Sequence, residues 1–96
     1  MKPIPVGFAV VLAALASVAG ADGGADLLNR RGCPICHDVE QTKSAPAFKA
    51  IAEKYANDAD APGRIAAKLR SGIGHIKPGG SDQDVDDLVA YVLSLH

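Results

Sequence analysis

Apolar residues recur along this chain at the spacing of a helix and nowhere sustain the alternation of a strand. Phe48, Ile51, Ala52 and Tyr55 stand at i, i+3, i+4 and i+7, the stripe of an amphipathic helix with one face turned to a core. That helix closes in NDAD at 57–60. Pro62 suits the first turn of the next helix, where a missing N–H costs nothing, and Ile65, Ala66 and Leu69 form its inward face up to a terminator at Gly72. Val85, Leu88, Val89 and Val92 line a last helix. Ser81 is its predicted N-cap, Asp84 completes a capping-box pattern, and Asp82, Asp86 and Asp87 add negative charge at the positive end of the helix dipole. Ahead of these, ADLLNRR at 25–31 is a short helical pattern halted by Gly32. The connector DVEQTKSAP contains Pro46, which forbids an uninterrupted helix, and GHIKPGG at 74–80 reads as loop. The expected fold class is all-α, with three to four short helices.

The N-terminus reads as an address. Lys2 supplies a small positive region, Ile4 to Ala19 run almost without polar side chains, and Ala19 and Ala21 make an A-x-A-like cleavage site. Pro3, Pro5 and Gly7 leave the apolar run short of the roughly 20 residues of a spanning helix. The expectation is a cleaved signal peptide, 1–21, and one exported domain, 22–96, located in the periplasm with no membrane attachment after cleavage. A domain of that size buries only about 60% or a little more of its unfolded surface, and so calls for a staple: disulfide, metal or bound cofactor. Without Lys2 it carries nine Lys and Arg against eleven Asp and Glu, a formal charge of −2. No basic field points to nucleic acid.

GCPICH at 32–37 supplies the candidate staple. Cys33 and Cys36, three apart in a turn, point to one side, and His37 adds an imidazole directly beyond. C-x-x-C-H is the attachment signature of c-type haem: each thiol adds to a porphyrin vinyl group, and the imidazole reaches the iron. Three other readings compete. A disulfide is natural in an exported chain but leaves His37 without a role. A dithiol oxidoreductase could use CPIC, yet such motifs accompany a β-α-β pattern that is not seen here. A structural zinc needs four ligands, which two cysteines and three histidines supply only at unusual spacings.

The order of these pieces resembles the small class I cytochromes c, particularly the short bacterial type related to cytochrome c551. The resemblance spans nearly all of the exported part: a short helix running into GCPICH, then APAFKAIAEKYA, then SDQDVDDLVAYVLS with Tyr91 at the family's aromatic position. It implies one covalently attached haem c wrapped by the helices, the first and last helices crossing near Leu28 and Tyr91, and electron transfer between a redox-protein donor and acceptor rather than enzymatic catalysis. It also implies that the Pro46 carbonyl accepts the other ring N–H of His37, with Ala45 standing where the family usually has glycine. The protein is expected to act as a monomer.

The chain departs from that family in its sixth ligand. The family's usual axial methionine precedes the last helix, but the sole methionine here is Met1. Counting back from Ser81 puts His75 at the methionine's place, and neutral imidazole is a good iron ligand. Lys77 is the next candidate, although it must first lose its proton, and the chain-terminal His96 is a remote one. The connection from Gly72 to His75 is also shorter than in the c551 type, which could hold His75 away from the iron. The site-residue expectations are therefore Cys33 and Cys36 for cofactor attachment and His37 and His75 for iron. Two axial histidines predict a low-potential carrier, because methionine opposite histidine raises the potential; an empty sixth site would instead predict a gas-binding haem protein. Lys68 or Arg70 is a candidate partner for a haem propionate, and Lys43, Lys49 and Lys54 a candidate docking face for an acidic partner.

Overall fold

A computed structural model describes residues 22–96 of the protein. The expected leader, 1–21, lies outside the described residues. Four α-helices and one 3-10 turn follow in order: α1 Asp22–Arg30, the turn Cys33–Ile35, α2 Phe48–Lys54, α3 Ala61–Ser71 and α4 Asp82–Leu93. Among the described residues there is no strand, as the periodicity predicts.

Several helix ends have a local cause. Gly32, at φ 76°, and Gly72, at φ 71°, take the left-handed backbone that a side chain disfavours, and Gly72 donates its N–H back to the Lys68 carbonyl at the close of α3. Pro62 sits in the first turn of α3. At the start of α4, Ser81 Oγ accepts the Asp84 N–H while Asp84 Oδ2 accepts the Ser81 N–H, a complete capping box.

α4 is the hub, packing on α1, α2 and α3. Leu27, Leu28, Phe48 and Leu88 form one buried cluster, with Tyr91, Val92 and Leu95 against it. Ala66, Val85 and Val89 form a second, with Ile65, Leu69 and Leu93 at its edge. Each such Leu, Val or Phe contributes about 1.5–3 kcal/mol when fully buried, but the inventory is small for a chain of this length. Ile35, Ile73 and Ile76 remain 77%, 79% and 77% exposed on the polypeptide, apolar surface that water penalises and that a bound apolar group would cover.

The start of α1 differs from expectation, at Asp22 rather than Ala25. Gly23 and Gly24 read as poor helix formers, yet Gly24 is buried where α1 crosses α4. A Cβ there would stand 2.5 Å from Tyr91 ring carbons. Tertiary contact with the Tyr91 ring outweighs the glycine's low propensity.

Candidate metal centre

The Cys33–Ile35 turn is built from Gly32, whose left-handed backbone reverses the chain out of α1 and lets Cys36 and His37 donate their N–H groups to the Cys33 carbonyl at 3.3 and 3.0 Å. Lys43 Nζ donates to the Pro34 carbonyl at 3.0 Å, fastening the turn from across the connector. Both thiols are free and partly exposed, and no disulfide joins them. Cys33 packs against the Leu27–Leu28–Phe48–Leu88 cluster, and burial pushes its thiol above the usual value.

Downstream, the connector folds back on itself. Asp38 Oδ2 accepts the N–H groups of Glu40 and Gln41, both at 2.9 Å, and these bonds hold its carboxyl below the usual carboxylate range. Ala45 donates its N–H to the Cys36 carbonyl at 3.0 Å. No non-glycine residue among those described needs a left-handed backbone, so alanine meets no conformational penalty at position 45. This return brings the Pro46 carbonyl to 2.6 Å from His37 Nδ1. A carbonyl can only accept, so Nδ1 carries the proton and Nε2 of a neutral ring keeps its lone pair. The imidazole also lies against Phe48, with centroids 4.8 Å apart and planes at 22°. It is thereby fixed in tautomer and in plane, as a metal-binding histidine requires.

His75 repeats the arrangement from the loop between α3 and α4. Its Nδ1 is 2.6 Å from the Ile76 carbonyl, again leaving Nε2 free. The shortened Gly72–His75 connection does not hold the ring away: the His37 and His75 centroids are 6.1 Å apart and their planes 18° from parallel. Two imidazoles that share one metal through Nε2, with bonds of about 2 Å on either side, would place their centroids about 6 Å apart. The separation, the free Nε2 atoms and the flanking exposed isoleucines all fit an iron porphyrin. His75 is exposed on the polypeptide, as a ring must be if a cofactor is to cover it.

Other candidates are placed elsewhere. Lys77 lays its stem along the end of α3, where a Cβ on Gly72 would meet its Cγ at 3.0 Å. His96 is exposed at the chain end. Among the described residues no three His, Cys, Asp or Glu side chains converge on a point, so a structural zinc finds no ligand set there. Arg70 is committed to the first turn of α4, bonding Asp82 Oδ1 at 3.2 Å, the Asp82 carbonyl at 3.1 Å and Asp86 Oδ1 at 2.6 Å. Those bonds occupy Nε and Nη2 of Arg70 and turn its fork toward α4. Lys68 forms no ion pair among the described residues and points toward Gly74, where a Cβ would meet its Cε at 3.3 Å. Lys49 lies 3.8 Å from Glu40, and Lys54 lies over the Tyr55 ring. The clamp made by Lys43 and the stacking of Phe48 on His37 are not legible in a linear pattern. Position 48 reads only as an apolar stripe residue.

The sequence profile of the cytochrome c family matches residues 21–96. The chain is 36% identical over 87 residues to cytochrome c-552 of Nitrosomonas europaea, covering 81% of this chain and 84% of that protein. It is 44% identical to cytochrome c-551 of Allochromatium vinosum over 46 residues, 48% of this chain and 49% of that protein, so the chain spans about half the length of that relative. The crystal structure of the Nitrosomonas cytochrome superposes with a TM-score of 0.65 over 75% of this chain and 99% of that one. The class 1 cytochrome MtoD of Sideroxydans lithotrophicus superposes with a TM-score of 0.69 at 29% identity, over 77% and 94%. This chain belongs to the cytochrome c family of electron carriers, as a small class I monohaem cytochrome with one covalently attached haem c.

Proposed function

We propose that this protein is a periplasmic electron carrier of low potential, with Cys33 and Cys36 as the thioether residues and His37 and His75 as the axial ligands of the iron. The observation that carries the reading is the pair of imidazoles 6.1 Å apart, each with Nδ1 against a backbone carbonyl. The bound haem supplies a reversible one-electron change at iron. The polypeptide's part is to keep the ligand set fixed, so that little rearranges when charge arrives or leaves. Pro46 and Phe48 hold His37 in one tautomer and plane, and the Nδ1 bond raises the basicity of the ligating nitrogen. Axial ligation tunes a haem's potential over about 0.8 V, and exchange of the family's methionine for imidazole moves it downward. Covalent attachment consumes both thiols, which leaves no role for CPIC as a dithiol oxidoreductase.

Residues 1–21 serve in this reading as a leader removed on export. No described helix is long and apolar enough to cross a membrane. Donor and acceptor are redox proteins, and the carrier works as a monomer without catalysis of its own.

A second reading, a gas-binding haem protein with an exchangeable sixth ligand, draws on the loop around His75, where Gly72, Gly74, Gly79 and Gly80 all have positive φ. One set of spectra on the holoprotein decides between them. Two histidines give a low-spin ferrous form that takes up CO slowly; a high-spin ferrous form that binds CO at once would overturn the bis-histidine assignment. Pyridine haemochrome spectra, with the mass of the mature chain, test the thioethers and the leader cut. A mass without a porphyrin sinks the attachment.

A further inference from the structure

Arg31 follows the last residue of α1, and its side chain crosses to the far end of the loop that carries His75. Nη2 donates to Asp84 Oδ2 at 3.3 Å, joining residues 53 apart in sequence. The two side chains are only 29% and 33% exposed. The same Asp84 oxygen accepts the Ser81 N–H in the capping box of α4, so the guanidinium is tied to the point where the loop becomes helix. Gly79 and Gly80, at φ 75° and 84°, run over this pair. A Cβ on Gly80 would stand 2.6 Å from Asp84 Oδ2 and 2.9 Å from Arg31 Nη2, and one on Gly79 3.6 Å from Arg31 Nη1. The loop backbone is thus seated directly on the ion pair at Gly80, where a side chain would have to push the carboxylate and guanidinium aside. Arg31 Nε is buried without a partner among the described residues. The neighbouring pair, Arg30 with Asp26, is by contrast exposed and lies within one helix.

We infer that Arg31 is a positioning residue for the sixth-ligand loop. By seating the Gly79–Gly80 hinge on the cap of α4, it fixes the reach of residues 73–78 and limits how readily His75 leaves the iron. At the other end the loop is closed by Lys77 lying along Gly72, which leaves the Arg31 end as the long-range tether. The role rests on the reading of His75 as the sixth ligand.

The test is CO uptake by the ferrous holoprotein, which waits on departure of the sixth ligand. Arg31→Met is expected to accelerate uptake about ten-fold, the equivalent of one lost hydrogen bond to a charged group, and to raise the high-spin fraction. Arg31→Lys, which keeps the charge but not the planar fork, should fall between. Arg30→Met, which removes the exposed pair on the same helix, should leave uptake unchanged. Urea midpoints measured on the same samples separate loop release from general loosening. If Arg31→Met does not fold, Gly80→Ala presses on the same ion pair from the loop side and should also speed uptake. Uptake within about two-fold of wild type in Arg31→Met, or in Gly80→Ala where that variant stands in, overturns the positioning role. Failure of the ligand reading has its own signature: wild type that takes up CO at once, with His75→Ala no faster, overturns the assignment of His75 and the role of Arg31 together.

Discussion

The imidazole planes of His37 and His75 stand 18° from parallel, with their centres 6.1 Å apart. Near-parallel axial rings donate into the same metal d orbital and split it from its neighbour, whereas perpendicular rings leave the two nearly equal. The oxidised holoprotein should therefore give a rhombic, three-line low-spin EPR spectrum. A single strongly anisotropic low-field feature would mean that the rings are not held at this angle on the iron.

Placing a thioether where His75 now stands should restore the family's usual ligand pair. His75→Met is expected to shift the midpoint potential upward, because methionine opposite histidine raises it. Redox titration of the two proteins is the measurement. Identical potentials would show that residue 75 does not reach the iron.

Two adjacent glycines should respond to alanine in opposite directions. A Cβ on Gly23 meets nothing within 4 Å, whereas one on Gly24 would be driven against the Tyr91 ring. Gly23→Ala should stabilise by about 0.4–1 kcal/mol through the unfolded chain. Gly24→Ala should destabilise by about 1–3 kcal/mol, the cost of overpacking, in spite of alanine's better helix propensity. Denaturant midpoints read both, and an equal response at the two sites would contradict the close crossing of α1 on α4.

Acid should weaken the link between α2 and α3. The Arg64 guanidinium, and then the Asp60 N–H, hold the Asp58 carboxyl below the usual carboxylate range. A carboxyl whose pKa is lower in the folded chain stabilises above its unfolded value, about 3.9, and loses that contribution as pH falls through the folded value. Asp58→Asn should therefore be less stable than wild type at neutral pH, with the gap closing as pH falls through the lowered folded value. A gap that persists undiminished in acid would show that the carboxylate's charge is not what the site uses.

What the linear pattern reveals here is what neighbouring residues cause. The α4 cap at Ser81 and Asp84, the stops at Gly32 and Gly72 and the stripe from Phe48 arise within a turn or two of chain, and each stands where periodicity and capping chemistry put it. The start of α1 escaped because Gly24 is chosen by Tyr91, 67 residues away, and not by local preference. The same limit applies to the site. GCPICH carries the attachment spacing, which the adjoining His37 and the strand-free context favour over its rivals, and the contact from His37 to Pro46 follows from a family resemblance. The seat of the His75 loop on Arg31 depends on α1, α4 and the loop meeting in space, and no periodicity encodes it.

α1, α2 and α3 each pack on α4, and among the described residues no other pair of these α-helices brings its backbones close together. A disruption confined to α1, α2 or α3 therefore spares two of the three junctions, whereas one in α4 undoes all of them together.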